Sequence, residues 1–314
     1  MISLVLCTYN GEKYIEKQLT SIVNQTVLPD EIIVCDDISI DDTLNIIYSF
    51  KEKYNNIKWQ VIKNKNKLGF ANNFINALKF ANGDYIFLSD QDDIWELDKI
   101  SNMLNIIENN NKINILFSSY DCIDQNDMPI NYKYTINKSI FYNFLSKIFK
   151  VVKYTYFDFI KSMNVAGMSM CIKKSFLDSF LSLKVANLKY HDLFLALFAS
   201  LIGSLYFYNN RLVKYRMHDN NLIGLKSAIG IKEDRKEWLL YNIENQKLMK
   251  HFLLNNDCEK NRITELNELI KFNLNRIEIM KSKSLLRLLN NIKNIRFYSS
   301  IFAYFGDFYY ILNN

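Results

Sequence analysis

Apolar and polar positions follow two different periods along the first third of the chain, and these periods predict strands and helices in turn. Short apolar runs rich in β-branched residues are typical of buried strands, whereas apolar residues three and four positions apart favour helices. The runs predict strands at residues 2–7, 31–35, 58–62 and 84–88. The helical pattern covers residues 12–24, 44–50 and 72–81. Strands that alternate with helices in this way indicate a doubly wound α/β sheet flanked by helices.

The remainder of the chain carries a less regular pattern. It predicts strands at residues 113–118, 168–172 and 212–215 and an apolar helix at residues 193–202. From about Ser227 onward the chain keeps a helical pattern without Pro, so we expect continuous helix and a domain boundary near residues 222–230. In the first third, Ser39 with Asp42 three residues later predicts the start of the second helix.

Polar clusters follow the first, second and fourth predicted strands. They are Thr8-Tyr9-Asn10, Asp36-Asp37 and Asp90-Gln91-Asp92-Asp93. Doubly wound sheets bind ligands just outside the carboxyl ends of their strands. We therefore expect the functional site at this edge of the sheet.

The third of these clusters is dense in carboxylates. Asp90, Asp92 and Asp93 repel one another, and partial burial makes each charge costlier. A bound divalent cation relieves both effects, and Mg²⁺ and Mn²⁺ are hard ions that take carboxylate oxygens together with substrate phosphates. The alternative is a solvated acidic turn, but the position at the end of a strand favours the metal site.

Several separated segments, in this order, resemble family 2 glycosyltransferases with the GT-A fold. The segments are SLVLCTYNGEKYIEKQLTSIVNQT, DEIIVCDDISIDDT, NKLGFANNF, GDYIFLSDQDDIW, NVAGMSMCIKKSFLDSF, YHDLFLALFAS and LVKYRMHDNNLIG. Their order is typical of the rhamnosyltransferase-like branch that builds bacterial surface polysaccharides. The resemblance implies a GT-A-type mixed, mostly parallel sheet flanked by helices, with a C-terminal helical extension.

The resemblance also implies roles for individual residues. Asp192 would be the catalytic base, and Mn²⁺ or Mg²⁺ would be held by Asp92, Asp90 and His218. The nucleotide would contact Thr8, Tyr9, Asn10, Asp36, Asp37, Gly69 and Asp90. The acceptor or sugar pocket would be lined by Asp93, Trp95, Gly167, Met168, His191 and Arg216.

Some of these roles have alternatives, and some positions depart from the family pattern. A carboxylate at the start of a helix also caps it, so Asp192 could serve as a cap, as the base or as both. Arg216 could pair with a diphosphate or with an acidic side chain. The departures are Ile38, Met168 and Leu193, where relatives often carry a small residue, Cys and an aromatic residue.

The implied function is inverting transfer of a sugar from a nucleotide-sugar donor to a saccharide or lipid-linked saccharide. Rhamnose from dTDP-rhamnose is the expected donor, with a UDP-hexose (galactose, glucose or N-acetylglucosamine) as the alternative. A sugar nucleotidyltransferase or an inactive glycan-binding domain fits the residues less well. The expected domains are residues 1–224, with a nucleotide and metal half at 1–100 and an acceptor half at 101–224, and a helical region at 225–314.

Composition narrows the remaining possibilities. The net charge of +6 is modest, and most aromatic residues fall at apolar periodic positions, so we expect no nucleic-acid partner. Neither a G-x-G-x-x-G set nor a P-loop motif occurs. No signal-peptide pattern and no apolar run near the roughly 18 residues of a membrane span is found, so we expect a cytoplasmic protein, soluble or peripheral at the inner face of the membrane. The five cysteines are expected to be reduced thiols.

The C-terminal residues combine apolar and basic character. No acidic residue lies between Glu278 and Asp307, whereas the basic residues there are Lys281, Lys283, Arg287, Lys293 and Arg296. Apolar residues 285, 288, 289, 292 and 295 form a helical stripe. One interpretation is that residues 279–314 lie on an anionic membrane surface. The other is that the stripe packs on the catalytic domain or on the second subunit of a homodimer.

Overall fold

The structure is a computed structural model of the 314-residue chain, and it describes residues 1–130, 149–184, 188–218 and 235–313. The chain divides into two compact units. The first unit comprises Met1–Tyr134 and Val165–His218, and the second comprises Thr135–Asn164 and Asp219–Asn314. The boundary expected near residues 222–230 lies outside the described residues.

The first unit is built on one mixed sheet. Its strands are β1 Ile2–Thr8, β2 Glu31–Asp36, β3 Lys58–Lys63, β4 Tyr85–Ser89, β5 Ile94–Trp95, β6 Ile115–Ile123, β7 Pro129–Ile130, β9 Met170–Lys173 and β10 Leu205–Arg216. The order across the sheet is β3-β2-β1-β4-β9-β6-β10-β5, and β7 pairs with β6. Strand β8, Val151–Lys153, belongs to the second unit.

Pairing in this sheet is parallel among the first four strands and between β6 and β10. Strand β1 is parallel to β2 and to β4, β2 is parallel to β3, and β6 is parallel to β10. The short strand β9 runs antiparallel between β4 and β6, and β5 and β7 are antiparallel additions. The predicted mixed, mostly parallel sheet is confirmed.

Helices cover the sheet of the first unit. They are α1 Ile15–Val23, α2 Thr43–Lys53, α3 Phe70–Leu78, α4 Lys99–Glu108, α6 Lys174–Leu181 and α7 His191–Leu201, with a 3₁₀ turn at Gly167–Ser169. Strands β1, β2 and β4 are buried almost throughout, as expected for strands covered on both faces. Burying their apolar side chains supplies much of the folding free energy of this unit.

The second unit is mainly helical. Its helices are α5 Tyr156–Ser162, α8 Arg235–Asn255, α9 Lys260–Lys281, α10 Leu285–Asn290 and α11 Ile301–Asn313, with a 3₁₀ segment at Asn291–Phe297. Helices α8 and α9 pack through a core cluster of Leu239, Ile243, Ile277 and Met280. No helix among the described residues is both long enough and apolar enough to cross a membrane.

The seven predicted strands and four predicted helices are all present, with shifted boundaries. The predicted helix start at Ser39 is wrong, because α2 begins at Thr43 and the Ser39 hydroxyl donates to Asp36 instead. Continuous helix after Ser227 is also wrong within the described part, since loops separate α8, α9 and α10. Helices α4, α5 and α6 have no counterpart among the predicted helices. All five cysteines are free thiols, and Cys258 alone among them is only partly buried.

Candidate active site

The parallel register of β1 and β2 brings the first two polar clusters together. Thr8 is the partner of Asp36 across the two strands, and its hydroxyl donates to the Asp36 carboxylate at 2.9 Å. Asp36 also accepts from the backbone N–H of Ser39 at 2.8 Å. Both Thr8 and Asp36 are buried, so these bonds fix the loop that follows β2.

Asp37 holds the loop that leads into α3. Its carboxylate accepts from the backbone N–H groups of Leu68 at 2.7 Å and Gly69 at 2.9 Å, and from the Asn64 amide at 3.0 Å. Gly69 has φ 74° and ψ 158°, a backbone region that essentially only glycine adopts. The described contacts of Asp37 are thus to the loop itself, and its contact with a nucleotide base stays a prediction.

Gln91 clamps the residue that follows β1. Its amide oxygen accepts from the Tyr9 N–H at 2.8 Å, and its amide nitrogen donates to the Tyr9 carbonyl at 3.1 Å. A Cβ atom on Gly11 would lie 2.4 Å from the Gln91 amide oxygen, so a larger residue at position 11 would displace the Gln91 side chain from this position. The Tyr9 ring is exposed, and the Lys67 ammonium lies 3.7 Å from its centroid. Asn10 completes the turn by accepting from the Ile40 N–H at 3.0 Å.

The carboxylate cluster begins directly after β4. Burial, with the nearby charges of Asp92 and Asp192, raises the pKa of Asp90 to about 8, although Lys99 opposes the shift. Burial, with the charges of Asp92 and Asp90, also raises the pKa of Asp93 well above its usual range. Lys99 is fully buried beside them, and burial lowers the pKa of its ammonium group. Carboxyl groups of this cluster are therefore held in surroundings that disfavour negative charge.

Asp92 is paired with His218. The Nε2 atom of His218 lies 2.8 Å from the Asp92 carboxylate, and the imidazole ring packs on Tyr14 with centroids 5.2 Å apart. Two of the three predicted metal ligands therefore meet, although β4 and β10 bring them from distant parts of the sequence. Within the described residues, no three His, Cys, Asp or Glu side chains converge as a complete protein cage for a metal ion.

Arg216 is a fully buried anchor beneath this pair. Its side chain donates to the carbonyls of Asp92 at 2.7 Å and Asp124 at 3.0 Å, and it forms an ion pair with Asp127 at 2.5 Å. Its backbone N–H donates to the Asp93 carboxylate at 3.0 Å. The sequence left two partners open for Arg216, a diphosphate or an acidic side chain. In the structure Arg216 pairs with an acidic side chain, that of Asp127.

Asp192 lies in the first turn of α7. Its carboxylate accepts from the Gly167 N–H at 3.2 Å and from the Leu193 N–H at 2.8 Å, so it satisfies one N–H of the first turn and ties the helix to the 3₁₀ turn, although Tyr190 is the N-cap residue. Since its charge contributes to the raised pKa of Asp90, the two carboxyl groups share one region of the site. His191 stacks on Phe74 with centroids 4.0 Å apart, and burial lowers its pKa.

The six residues predicted to line the acceptor or sugar pocket are buried. They are Asp93, Trp95, Gly167, Met168, His191 and Arg216. Lys99 connects several of them, because its ammonium group donates to the Met168 carbonyl at 2.6 Å and lies 3.3 Å from the Trp95 ring centroid. These residues form the buried surroundings of the site, and their direct contact with an acceptor stays a prediction.

Sequence reasoning missed several of these supporting residues. In the sequence, Gln91 is distinguished only by its position between two aspartates, and Lys99 lies in a segment for which no helix, strand or motif was predicted. Asp124 and Asp127, which hold Arg216, lie outside every motif. Their positions depend on the sheet order, in which β6 lies beside β10, and no local pattern signals that arrangement.

Comparison with known proteins places this site in a family. The model of the family described as "Glycosyl transferase family 2" matches residues 3–180. The dTDP-rhamnosyl transferase RfbG of Shigella flexneri is 33% identical over 241 residues, which cover 73% of this chain and 77% of that protein. A second relative, the UDP-Glc:alpha-D-GlcNAc-diphosphoundecaprenol beta-1,3-glucosyltransferase WfgD of Escherichia coli, is 31% identical over 147 residues, which cover 47% of this chain and 55% of the relative.

A solved structure shares the architecture at much lower sequence identity. It is residues 1–349 of TarS from S. aureus in complex with UDP-GlcNAc, with a TM-score of 0.59 and 18% identity. The superposition covers 94% of this chain and 88% of that one. At this identity the likeness concerns the fold alone.

Proposed function

Because the chain belongs to glycosyl transferase family 2, we propose that it is an inverting enzyme that transfers a sugar from a nucleotide-sugar donor to a saccharide hydroxyl. The observation that carries this proposal is the meeting of carboxylates from two elements. Asp90 and Asp92 follow β4, and Asp192 opens α7 close enough to influence the pKa of Asp90. In the proposal, Asp90 and Asp92 help to bind a cation that stabilises the leaving diphosphate, and Asp192 accepts the proton of the attacking hydroxyl.

Asp192 is the base in this proposal. The acceptor hydroxyl is a poor nucleophile near neutral pH, and a carboxylate within hydrogen-bond reach takes its proton as attack proceeds. The hydrogen bonds from the Gly167 and Leu193 N–H groups hold the Asp192 carboxylate in one orientation. A single base opposite the leaving group suffices for direct displacement, which inverts the anomeric carbon.

The residues after β4 fit a divalent cation. Mg²⁺ and Mn²⁺ in nucleotide sites are commonly bound by one or two protein carboxylates, with substrate phosphates completing the shell. Asp92 with His218 forms such a partial set, with Asp90 beside it, and a carboxylate combined with an imidazole favours Mn²⁺ over Mg²⁺. When bound, the cation would stabilise the charge that develops on the diphosphate.

The nucleotide is assigned to the loops after β1 and β2. Gln91 holds the loop after β1 at Tyr9, and Asp37, in the loop after β2, accepts from the backbone of the loop before α3. The exposed Tyr9 ring beside Lys67 offers an aromatic face and a positive charge. In this assignment residues 1–100 form the nucleotide and metal half and residues 101–224 the acceptor half. Residues 225–314 then form a helical extension.

The proposed donor is dTDP-rhamnose. It is supported by the name of the Shigella relative, which matches over most of both chains. A UDP-hexose is the second candidate, because the Escherichia coli relative named as a UDP-Glc-dependent glucosyltransferase matches over about half of either chain. The acceptor would be a saccharide, free or lipid-linked, in surface-glycan synthesis.

Donor hydrolysis and transfer measured with each nucleotide-sugar test the proposal. We expect the purified full chain to consume dTDP-rhamnose faster than UDP-glucose, UDP-galactose or UDP-N-acetylglucosamine, and EDTA to stop the reaction until Mn²⁺ is restored. The anomeric configuration of the product, followed by NMR, would be opposite to that of the donor. Retention at the anomeric carbon, or unchanged turnover in EDTA, would contradict the corresponding part of the proposal.

A further inference from the structure

The end of the second unit exposes an unusual share of apolar side chains. Eight of the 22 exposed large apolar side chains in the described residues lie within α10, the 3₁₀ segment and α11. They are Leu286, Leu289, Ile292, Ile295, Phe302, Phe305, Tyr309 and Leu312, and we call them the tail surface. The same elements bury Leu288, Tyr304 and Ile311, so the tail surface belongs to well-packed helices and not to a loose segment.

Helix α11 shows the two faces most clearly. Phe302, Phe305, Tyr309 and Leu312 recur at intervals of three and four residues, so they lie on one side of the helix. The helix side that includes Asp307 is buried against the rest of the unit. An amphipathic surface helix normally exposes a polar face to solvent, whereas α11 exposes phenylalanine, tyrosine and leucine side chains.

The charge of the segment that contains the tail surface is predominantly positive. Lys281, Lys283, Arg287, Lys293 and Arg296 are all exposed. The single acidic residue after Glu278 is Asp307, which is 1% exposed and paired with Arg276. Lys281 and Arg296 form ion pairs with Glu278 and Glu268 of α9, so the five basic residues still outnumber the acidic ones that they contact through these pairs.

We propose that the tail surface binds the anionic face of a lipid bilayer. Exposed aromatic and aliphatic side chains surrounded by lysine and arginine are the composition of helices that lie in the membrane interface. A second copy of the chain is the less favourable occupant, because a two-fold contact would set the same basic surface against itself. The proposal concerns where the protein resides and does not depend on the donor or the mechanism proposed above.

Cosedimentation of the full chain with vesicles tests the proposal. We expect binding to vesicles of phosphatidylglycerol mixed with phosphatidylcholine, and little binding to phosphatidylcholine alone. Replacing Lys283, Arg287 and Lys293 by Gln should weaken the partition coefficient roughly a hundredfold, since each basic residue near an anionic surface contributes roughly fivefold. Phe302→Ser combined with Phe305→Ser should weaken it at least about tenfold through lost apolar contact.

A matched variant separates local binding from general charge. Replacing Lys247, Lys260 and Lys271, which are exposed on α8 and α9, by Gln removes the same net charge elsewhere on the unit and should leave binding nearly unchanged. Equal weakening by the two triple variants would overturn the proposal. Undiminished vesicle binding by the double phenylalanine variant would also overturn the proposal. If that variant were a monomer in sedimentation velocity and the wild type a dimer, the tail surface would be a dimer contact instead. Circular dichroism should show unchanged helix content in all variants, because the replaced side chains are exposed.

Discussion

The two units each bury a carboxylate among arginine or lysine side chains, yet they treat that carboxylate in opposite ways. In the second unit Asp307 accepts from Arg235, from two nitrogens of Arg276 and from Tyr298. Burial alone would raise its pKa, but the hydrogen bonds and charges of Arg276 and Arg235 lower it below the usual range. This carboxylate has its negative charge fully compensated.

The acidic cluster of the first unit lacks such compensation. Asp93 accepts one hydrogen bond, from the Arg216 N–H, and its second oxygen is buried without a hydrogen-bond partner among the described residues. Burial and neighbouring carboxylates raise the pKa values of Asp93 and Asp90. Buried polar groups are normally satisfied, and exceptions concentrate at functional sites. Asp307 is therefore compensated within the fold, whereas the uncompensated burial of Asp90 and Asp93 fits the ligand site proposed above.

Removing the compensated charge should produce the largest loss of stability. We expect Asp307→Asn to lower the free energy of unfolding of the second unit by about 3–5 kcal/mol, because it leaves Arg276 buried without its counter-ion. Urea unfolding followed by circular dichroism measures this change. Glu268→Gln is the control, since its exposed ion pair with Arg296 should contribute at most about 1 kcal/mol. Similar losses in both variants would remove the distinction between the two kinds of carboxylate.

The same residue gives a pH dependence whose sign follows from its pKa. A carboxyl group with a lowered folded-state pKa stabilises the protein above its unfolded pKa, about 3.9 for aspartate, and this contribution is lost as pH falls through the folded pKa. The wild-type chain should therefore lose stability more steeply than Asp307→Asn as the pH is lowered below about 4. Parallel acid-unfolding curves would contradict the charged state assigned to Asp307.

In the first unit, we expect Asp192→Asn to remove activity and spare the fold. Turnover should fall at least about a hundredfold, the lower range for lost general-base catalysis and equal to about 2.7 kcal/mol. Donor affinity should change little, because the Asn amide oxygen can still accept from the Gly167 N–H. Single-turnover kinetics and donor titration separate the two quantities. Asp98→Asn, at an exposed position, is the matched control, and near-normal transfer by folded Asp192→Asn would exclude the base role.

Asp92→Ala should weaken donor binding in the presence of Mn²⁺ and leave binding without the metal unchanged. We expect the affinity for nucleoside diphosphate with Mn²⁺ to fall at least about tenfold, or about 1.4 kcal/mol, while the unfolding free energy stays unchanged. Titration calorimetry with and without Mn²⁺ measures the effect, and His218→Ala should produce a smaller loss, because Asp92 would remain as a metal ligand. Identical affinities for wild type and Asp92→Ala in the presence of Mn²⁺ would exclude the metal role.

The contrast between the units also explains what the sequence could predict. The family and the GT-A-type sheet were predicted and are confirmed, because buried parallel strands carry apolar runs and polar clusters mark their ends. The neighbours of the site residues were not, since Arg216 meets Asp92 and Asp127 only through the order of β10, β6 and β4. Similarly, nothing local distinguishes Asp307 from a surface aspartate, because Arg276 reaches it from a separate helix.

The smallest expected effect concerns backbone strain beside Asp37. Ile38 has φ 68°, in the left-handed region, where a Cβ atom costs roughly 1–2 kcal/mol. At an ordinary position Ala is more stable than Gly by roughly 0.5–1 kcal/mol, because Gly loses more backbone entropy on folding. At position 38 this order should reverse, so that Ile38→Gly unfolds with a free energy about 0.5–1 kcal/mol above that of Ile38→Ala.

The two variants lose nearly the same side-chain contacts, so their difference isolates the backbone. Ile40, which is exposed and has an ordinary negative φ, supplies the control pair, in which the Ala variant should be the more stable. Strain held at a functional site should also help to shape it, so relief at position 38 should loosen the loop that Asp37 fixes and weaken donor affinity slightly. If the Ala variant were more stable than the Gly variant at both positions, the left-handed conformation of Ile38 would be wrong. The loop beside Asp37 would then hold no backbone strain at this position.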